Sequence, residues 1–203
     1  NQKKELNMSN YFIIAGNSDI AKETIKQIQE DGGNVFVTCR DEEKLNAVKS
    51  EFGCEGAVCD ASKFAEVEDA FKQAVETLGE VNGAVSFAGS LMLKPAHLVS
   101  EDDYNNTIAE SLTSSFALTR AAGKNMRAGG NVVLISSAAA MQGIANHEAI
   151  AAAKGGVISL AKSAASTYAG QNLRFNVVSP GLTETKLTEK ITGNEGSLKF
   201  SKA

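Results

Sequence analysis

Six short apolar runs constrain this chain more than anything else in it: YFIIAG, NVFVTC, GAVC, GAVSFAG, NVVLIS and RFNVVSPG. Each stops at a glycine, a cysteine or a serine, and most carry β-branched residues at consecutive positions. Runs of that kind read as strands buried on both faces, as in a parallel sheet. The stretches between them have helical spacing, over residues 20–30, 42–51, 63–78, 101–126 and 148–168. Ser100 and Ser62 stand where N-caps of the fourth and third helices belong, and Gly79 where the third ends. Strands alternating with such helices require right-handed crossovers. The fold class is therefore α/β: a Rossmann-like, doubly wound parallel sheet in a single domain.

Length and charge narrow the function. The chain has 203 residues, enough for one well-cored α/β domain, and both prolines, Pro95 and Pro180, fall in expected loops. The domain is expected over 10–203, with residues 1–9 (NQKKELNMS) a disordered or tag-like N-terminus. A net charge of −4 without a basic block argues against nucleic acid and membrane surfaces as partners. No apolar run approaches the ~20 residues of a bilayer helix. Cys39, Cys54 and Cys59 are odd in number and lack zinc-ligand spacing, which predicts reduced thiols, a cytoplasmic location and no metal site.

Ligands of doubly wound sheets bind at the carboxyl ends of the strands. The first strand there meets IIAGNSDIAKETIKQI. A turn feeding a helix N-terminus offers free N–H groups and partial positive charge to a pyrophosphate, with Gly16, Ser18 and Ile20 lining it. The same turn also reads as an ordinary one capped by Ser18 or Asp19, and the Asp19 carboxylate would repel a phosphate. The second strand ends at Cys39 followed by Arg40, with no acid for a ribose 2′-hydroxyl. Arg40 suits a 2′-phosphate, or else a surface pair with Asp41 or Glu43.

The order and spacing of CDAS, VSFAGS, LISSAAAM, AAAKGGV and NVVSPGLTET resemble the short-chain dehydrogenase/reductase family over roughly residues 10 to 190. The resemblance implies that Asp60 holds the adenine amino group. It implies that Ala88 and Gly89 line the cofactor, and that Pro180, Gly181 and Thr185 sit beside the nicotinamide amide. The family's glycine fingerprint falls on Ile14, Ala15, Asp19, Ile20 and Ala21, so its three glycines are replaced. In the catalytic set Ser137 and Lys154 match, Ser111 stands for the supporting asparagine, and Ile150 stands for the tyrosine.

Isoleucine cannot donate a proton to a carbonyl oxygen as hydride arrives, and a lost acid costs about 10²–10⁴-fold. His147 lies seven residues before Lys154, on the same helix face. The enoyl-reductase branch of the family places its tyrosine at that spacing. A histidine near its usual pKa could donate at neutral pH, or His147 and Asn146 simply precede the helix on the surface. The resemblance implies a divergent, NADP(H)-dependent (or NAD(H)-dependent) oxidoreductase of a carbonyl or enoyl small molecule, with Ser137, Lys154 and His147 at its centre. It also implies a homodimer or homotetramer packed through the fourth and fifth helices. The alternative is a catalytically silent nucleotide-binding or interaction protein of the same fold. The family continues past this region through a seventh strand, so for a chain ending at Ala203 either the sequence is truncated or the final sheet edge is missing. The segment after Thr185 reads as a substrate lid with Gly193 and Gly196 as hinges.

Overall fold

The computed structural model describes residues 9–193. The tag-like reading of residues 1–8 and the hinge at Gly196 lie outside the described residues. Strands β1 (Asn10–Ile14), β2 (Asn34–Cys39), β3 (Glu55–Val58), β4 (Gly83–Ser86), β5 (Gly130–Ile135) and β6 (Leu173–Val178) form one parallel sheet in the order 3-2-1-4-5-6. This is the doubly wound arrangement expected from the sequence, and its strand order reverses between β1 and β4.

Consecutive side chains of the central strands go to opposite faces, which makes two cores. Phe12, Ile14 and Phe36 enter the larger one, with α3 (Phe64–Leu78), α5 (Ser114–Asn125) and α6 (Glu148–Tyr168). There the Phe12 ring meets Phe71 at a centroid distance of 4.7 Å. Ile13, Val35 and Val37 enter the other, against α1 (Asp19–Glu30) and α2 (Glu42–Phe52). The two outer strands depart from the sequence expectation of burial on both faces. In β3 Val58 is exposed, and in β6 buried Leu173 and Phe175 alternate with exposed Arg174 and Asn176.

Most helix boundaries follow local chemistry. Ser18 accepts from Ala21 N at 3.2 Å and starts α1, and Asp41 accepts from Lys44 N at 3.0 Å and starts α2. Gly79, at φ 86°, ends α3. Ser62 is not the cap of α3. Its hydroxyl donates instead to Asp60 Oδ1 at 2.7 Å, while Glu66 reaches back to Asp60 N at 2.8 Å. The helix expected over 101–126 is also not continuous. It runs as α4 (Glu101–Ile108), a π-helical turn (Ala109–Thr113) and then α5. Ser114 and Ser115 donate their hydroxyls back to the Glu110 and Ser111 carbonyls at 2.7 and 2.8 Å, an alternative bond for those carbonyls where the helix widens. A short α7 (Glu189–Thr192) follows the β6 loop.

The turn after β1 carries local strain. Ala15 has φ 58°, a left-handed conformation that costs a non-glycine residue about 1–2 kcal/mol. Gly16 is needed for a different reason: a Cβ there would come within 2.9 Å of Val37 Cβ. Ala15→Gly is therefore expected to change stability by less than about 0.5 kcal/mol, the relieved strain offsetting the lost methyl and the looser unfolded chain. Ala21→Gly, in α1 and fully buried, is expected to cost about 1 kcal/mol or more. Urea denaturation of the two variants checks the contrast.

Candidate functional site

The carboxyl ends of β1, β2, β4, β5 and β6 open onto one edge, and the loops there are stitched together. Gly16 N donates to Thr38 O at 3.0 Å, joining the first turn to β2. Phe87 N donates to Ile14 O at 3.0 Å, joining the β4 loop to β1. Ser136 N and Ala138 N donate to Val178 O and Pro180 O at 2.8 and 2.9 Å. That pair of bonds places Ser137 beside the Pro180–Gly181 turn.

Lys154 comes to this edge from the second turn of α6. It is 7% exposed, and Nζ donates to Ile135 O at 2.8 Å. Ser136 Oγ donates to Lys154 O at 2.8 Å and fixes that part of α6 against β5. Burial lowers the Lys154 ammonium to a pKa of about 8. The amine therefore exchanges protons far more readily near neutrality than a solvated lysine. A Cβ placed on Gly89 would lie 3.3 Å from Lys154 Nζ and 3.9 Å from Ser111 Oγ, so these two groups converge on the glycine.

Ile150, one turn before Lys154, is 4% exposed and packs inward without a polar atom. His147 takes the N-cap position of α6, but its side chain makes no cap bond. Its Nδ1 lies 2.7 Å from Ala145 O. A carbonyl only accepts, so in this contact Nδ1 is the donor. Seven residues of helix separate His147 from Lys154 by about 10 Å of axial rise, so the two do not bond directly. Ser137 Oγ accepts from Ala139 N at 3.2 Å and caps the short 3₁₀ turn Ala138–Ala140.

At the other end of the edge, Asp60 is held by Ser62 N and Oγ at 2.9 and 2.7 Å. Burial pushes its carboxyl up, but the Ser62 hydrogen bonds and the nearby charges of Lys63 and Arg40 outweigh it, and the group lies below the usual carboxylate range. Arg40 pairs neither with Asp41, which is the α2 cap, nor with Glu43. Its Nη1 meets Glu110 Oε1 in the π turn at 3.0 Å. Asp19 Oδ2 accepts from Lys186 N at 2.7 Å, tying the segment after β6 to the start of α1. Within that segment Thr188 Oγ1 accepts from Thr185 N at 3.1 Å.

The sequence motifs brought Ser137, Lys154, Ser111, Gly89, Asp60 and the Pro180 turn to one edge. Glu110 and the Asp19 bridge to Lys186 were missed, since both depend on partners 70 and 167 positions away.

A nicotinamide dinucleotide fits this edge on several counts. Four buried hydroxyls, of Thr38, Ser86, Ser90 and Ser111, lack hydrogen-bond partners among the described residues. Leaving such groups unpaired costs about 1–3 kcal/mol each, so an incoming polar ligand gains where it satisfies them. Gly89 leaves a cradle over Lys154 Nζ, and the start of α1, with Ile20 exposed beside it, offers N–H groups to an anion. Asp19 is the group that does not favour a pyrophosphate; here its carboxylate is occupied by Lys186 N.

Known proteins agree with this architecture. The family profile described as enoyl-(acyl carrier protein) reductase matches residues 14–203. The short-chain dehydrogenase/reductase ABA4 of Pyricularia oryzae is 30% identical, covering 94% of this chain and 76% of its own length. A short-chain type dehydrogenase/reductase structure from Mycobacterium ulcerans superposes with a TM-score of 0.90 at 24% identity, over 94% of this chain and 74% of that one. The 3-ketoacyl-(acyl-carrier-protein) reductase of Brucella melitensis, complexed with NADH, superposes with a TM-score of 0.84 at 22% identity, over 90% and 79%. With a family profile matched over residues 14–203 and a relative 30% identical over 94% of the chain, the chain belongs to the short-chain dehydrogenase/reductase family.

Proposed function

We propose that this protein is a divergent short-chain oxidoreductase without the family's phenol, transferring hydride between NADP(H) and a carbonyl or enoyl small molecule. The observation that carries this reading is the buried amine of Lys154, held by Ile135 O and facing the Gly89 cradle beside Ser111. A lysine kept out of water at such an edge costs stability, and a bound polyanionic nucleotide is the partner that offsets it. The bound nicotinamide supplies or accepts the hydride. Ser137 donates a hydrogen bond to the substrate oxygen in this reading, which is supported by its oxygen accepting from Ala139 N while its hydroxyl meets no acceptor among the described residues. His147, at the N-cap position of α6, is the proton donor in this reading, with Ile150 buried one turn before Lys154. The NADH held by the Brucella protein supports a nicotinamide nucleotide, and Arg40 with no acid at position 39 favours its 2′-phosphorylated form. The free, buried thiols of Cys39, Cys54 and Cys59 fit a reducing compartment, the cytoplasm.

The outward face of α6 supports self-association. Ala152 and Ser159 are exposed there, and a Cβ on Gly155 would meet nothing within 4 Å. A stripe of small residues next to α4 and α5 lets a second copy approach closely and form a dimer, which paired symmetry doubles to a tetramer.

Three outcomes are expected. Calorimetric titration should show tighter binding of NADP(H) than NAD(H), and Arg40→Ala should abolish the difference; equal wild-type affinities rule out the 2′-phosphate assignment. Once a carbonyl or enoyl substrate is in hand, His147→Gln should lower turnover about 10²-fold or more with cofactor affinity unchanged. Ile150→Tyr should then raise activity on simple carbonyls, and an undiminished rate in His147→Gln removes His147 from the mechanism. Light scattering at micromolar concentration should give a dimer or tetramer, and Gly155→Arg should give a monomer of unchanged melting temperature.

A further inference from the structure

Arg40 and Glu110 form an ion pair that crosses the adenosine end of the cleft. Arg40 is the first residue after β2, and Glu110 lies in the π turn, so the pair joins the sheet edge to the helical wall. Glu110 precedes Ser111, whose hydroxyl lies 3.9 Å from a Cβ built on Gly89, so the π turn carries one side chain toward the Gly89 cradle and the next toward Arg40. Arg40 in turn lies close enough to Asp60 for its charge to stabilise that carboxylate. The Arg40 side chain is 71% exposed and that of Glu110 34%, so the guanidinium is open to an incoming ligand while the carboxylate is the more enclosed partner.

We propose that Glu110 is a specificity-determining residue: it holds Arg40 in the free protein, and a ribose 2′-phosphate must take the guanidinium from a carboxylate that stays in place and repels it. The inference rests on the nucleotide reading of the cleft. An exposed ion pair is weak, so the exchange is open to a bidentate phosphate. The carboxylate remaining beside a doubly charged phosphate blunts the gain. The arginine that favours NADP(H) thus comes with a built-in opponent on another element, and the preference over NAD(H) is held to a modest factor. A nucleotide with a free 2′-hydroxyl leaves the pair intact and feels none of this.

The test compares adenosine 2′,5′-bisphosphate with adenosine 5′-monophosphate by calorimetry, alongside NADP⁺ and NAD⁺. It uses the wild type, Glu110→Gln, Arg40→Ala and the double variant, each with its melting temperature. Glu110→Gln is expected to tighten the 2′-phosphorylated ligands about fivefold to tenfold while the others stay within about twofold. The gain should shrink in the Arg40→Ala background. An unchanged ratio between the two ligand classes in Glu110→Gln overturns this inference and leaves the proposed function standing. So does a loss of affinity for adenosine 5′-monophosphate, because Glu110 would then be the acceptor of a ribose hydroxyl. A wild type that binds no adenine nucleotide at all overturns the proposed function and this inference together.

Discussion

Strand β1 is enclosed on every side, and the rest of the structure depends on that. It pairs with β2 along all five residues and with β4 along four, so its backbone groups are taken within the sheet. Phe12 and Ile14 point into one core and Ile13 into the other, none of them more than 1% exposed. A strand buried on both faces requires a helical layer on each, and a parallel sheet supplies those layers as its own crossovers. Where β1 ends, the chain must turn at once to begin α1. Its path under Val37 takes Ala15 left-handed and leaves Gly16 without room for a side chain. The start of α1 is thereby fixed at the carboxyl edge, at the point where strand order reverses.

That edge combines two kinds of unsatisfied chemistry. The buried hydroxyls and the desolvated Lys154 amine await hydrogen bonds and negative charge. The carboxylates around them, Asp19, Asp60 and Glu110, are each engaged, by Lys186 N, by Ser62 and by Arg40 respectively. An anionic ligand therefore meets a site whose repulsive groups already have partners. The lysine is held by a main-chain carbonyl rather than a carboxylate, which leaves its charge uncompensated and available to the ligand.

The π turn between α4 and α5 links these features. It arises where two serines bond back to carbonyls, and it widens the helix at the position that brings Ser111 to Gly89 and Glu110 to Arg40. Ser111 keeps a buried hydroxyl with no partner among the described residues.

The sequence by itself determined the strands, four of the six main helices, the fold class and the family. It did so because apolar runs, caps and terminating glycines act over a few residues, and because Ser137, Lys154 and Pro180 keep a fixed spacing along the chain. It placed Ser62 as a cap on the same local logic and was wrong, since the hydroxyl found a carboxylate two residues back. It read the fourth helix as unbroken, because a π turn leaves hardly any mark on apolar periodicity. Only the tertiary structure decided the partner of Arg40. Asp41 and Glu43 were nearer in sequence, yet the first is committed to α2, and the π turn, packed against α6, carries Glu110 to the guanidinium. The same holds for Asp19 and Lys186. A charged side chain bonds to whatever the fold carries within about 3 Å of it, and distance along the chain does not record which group that will be.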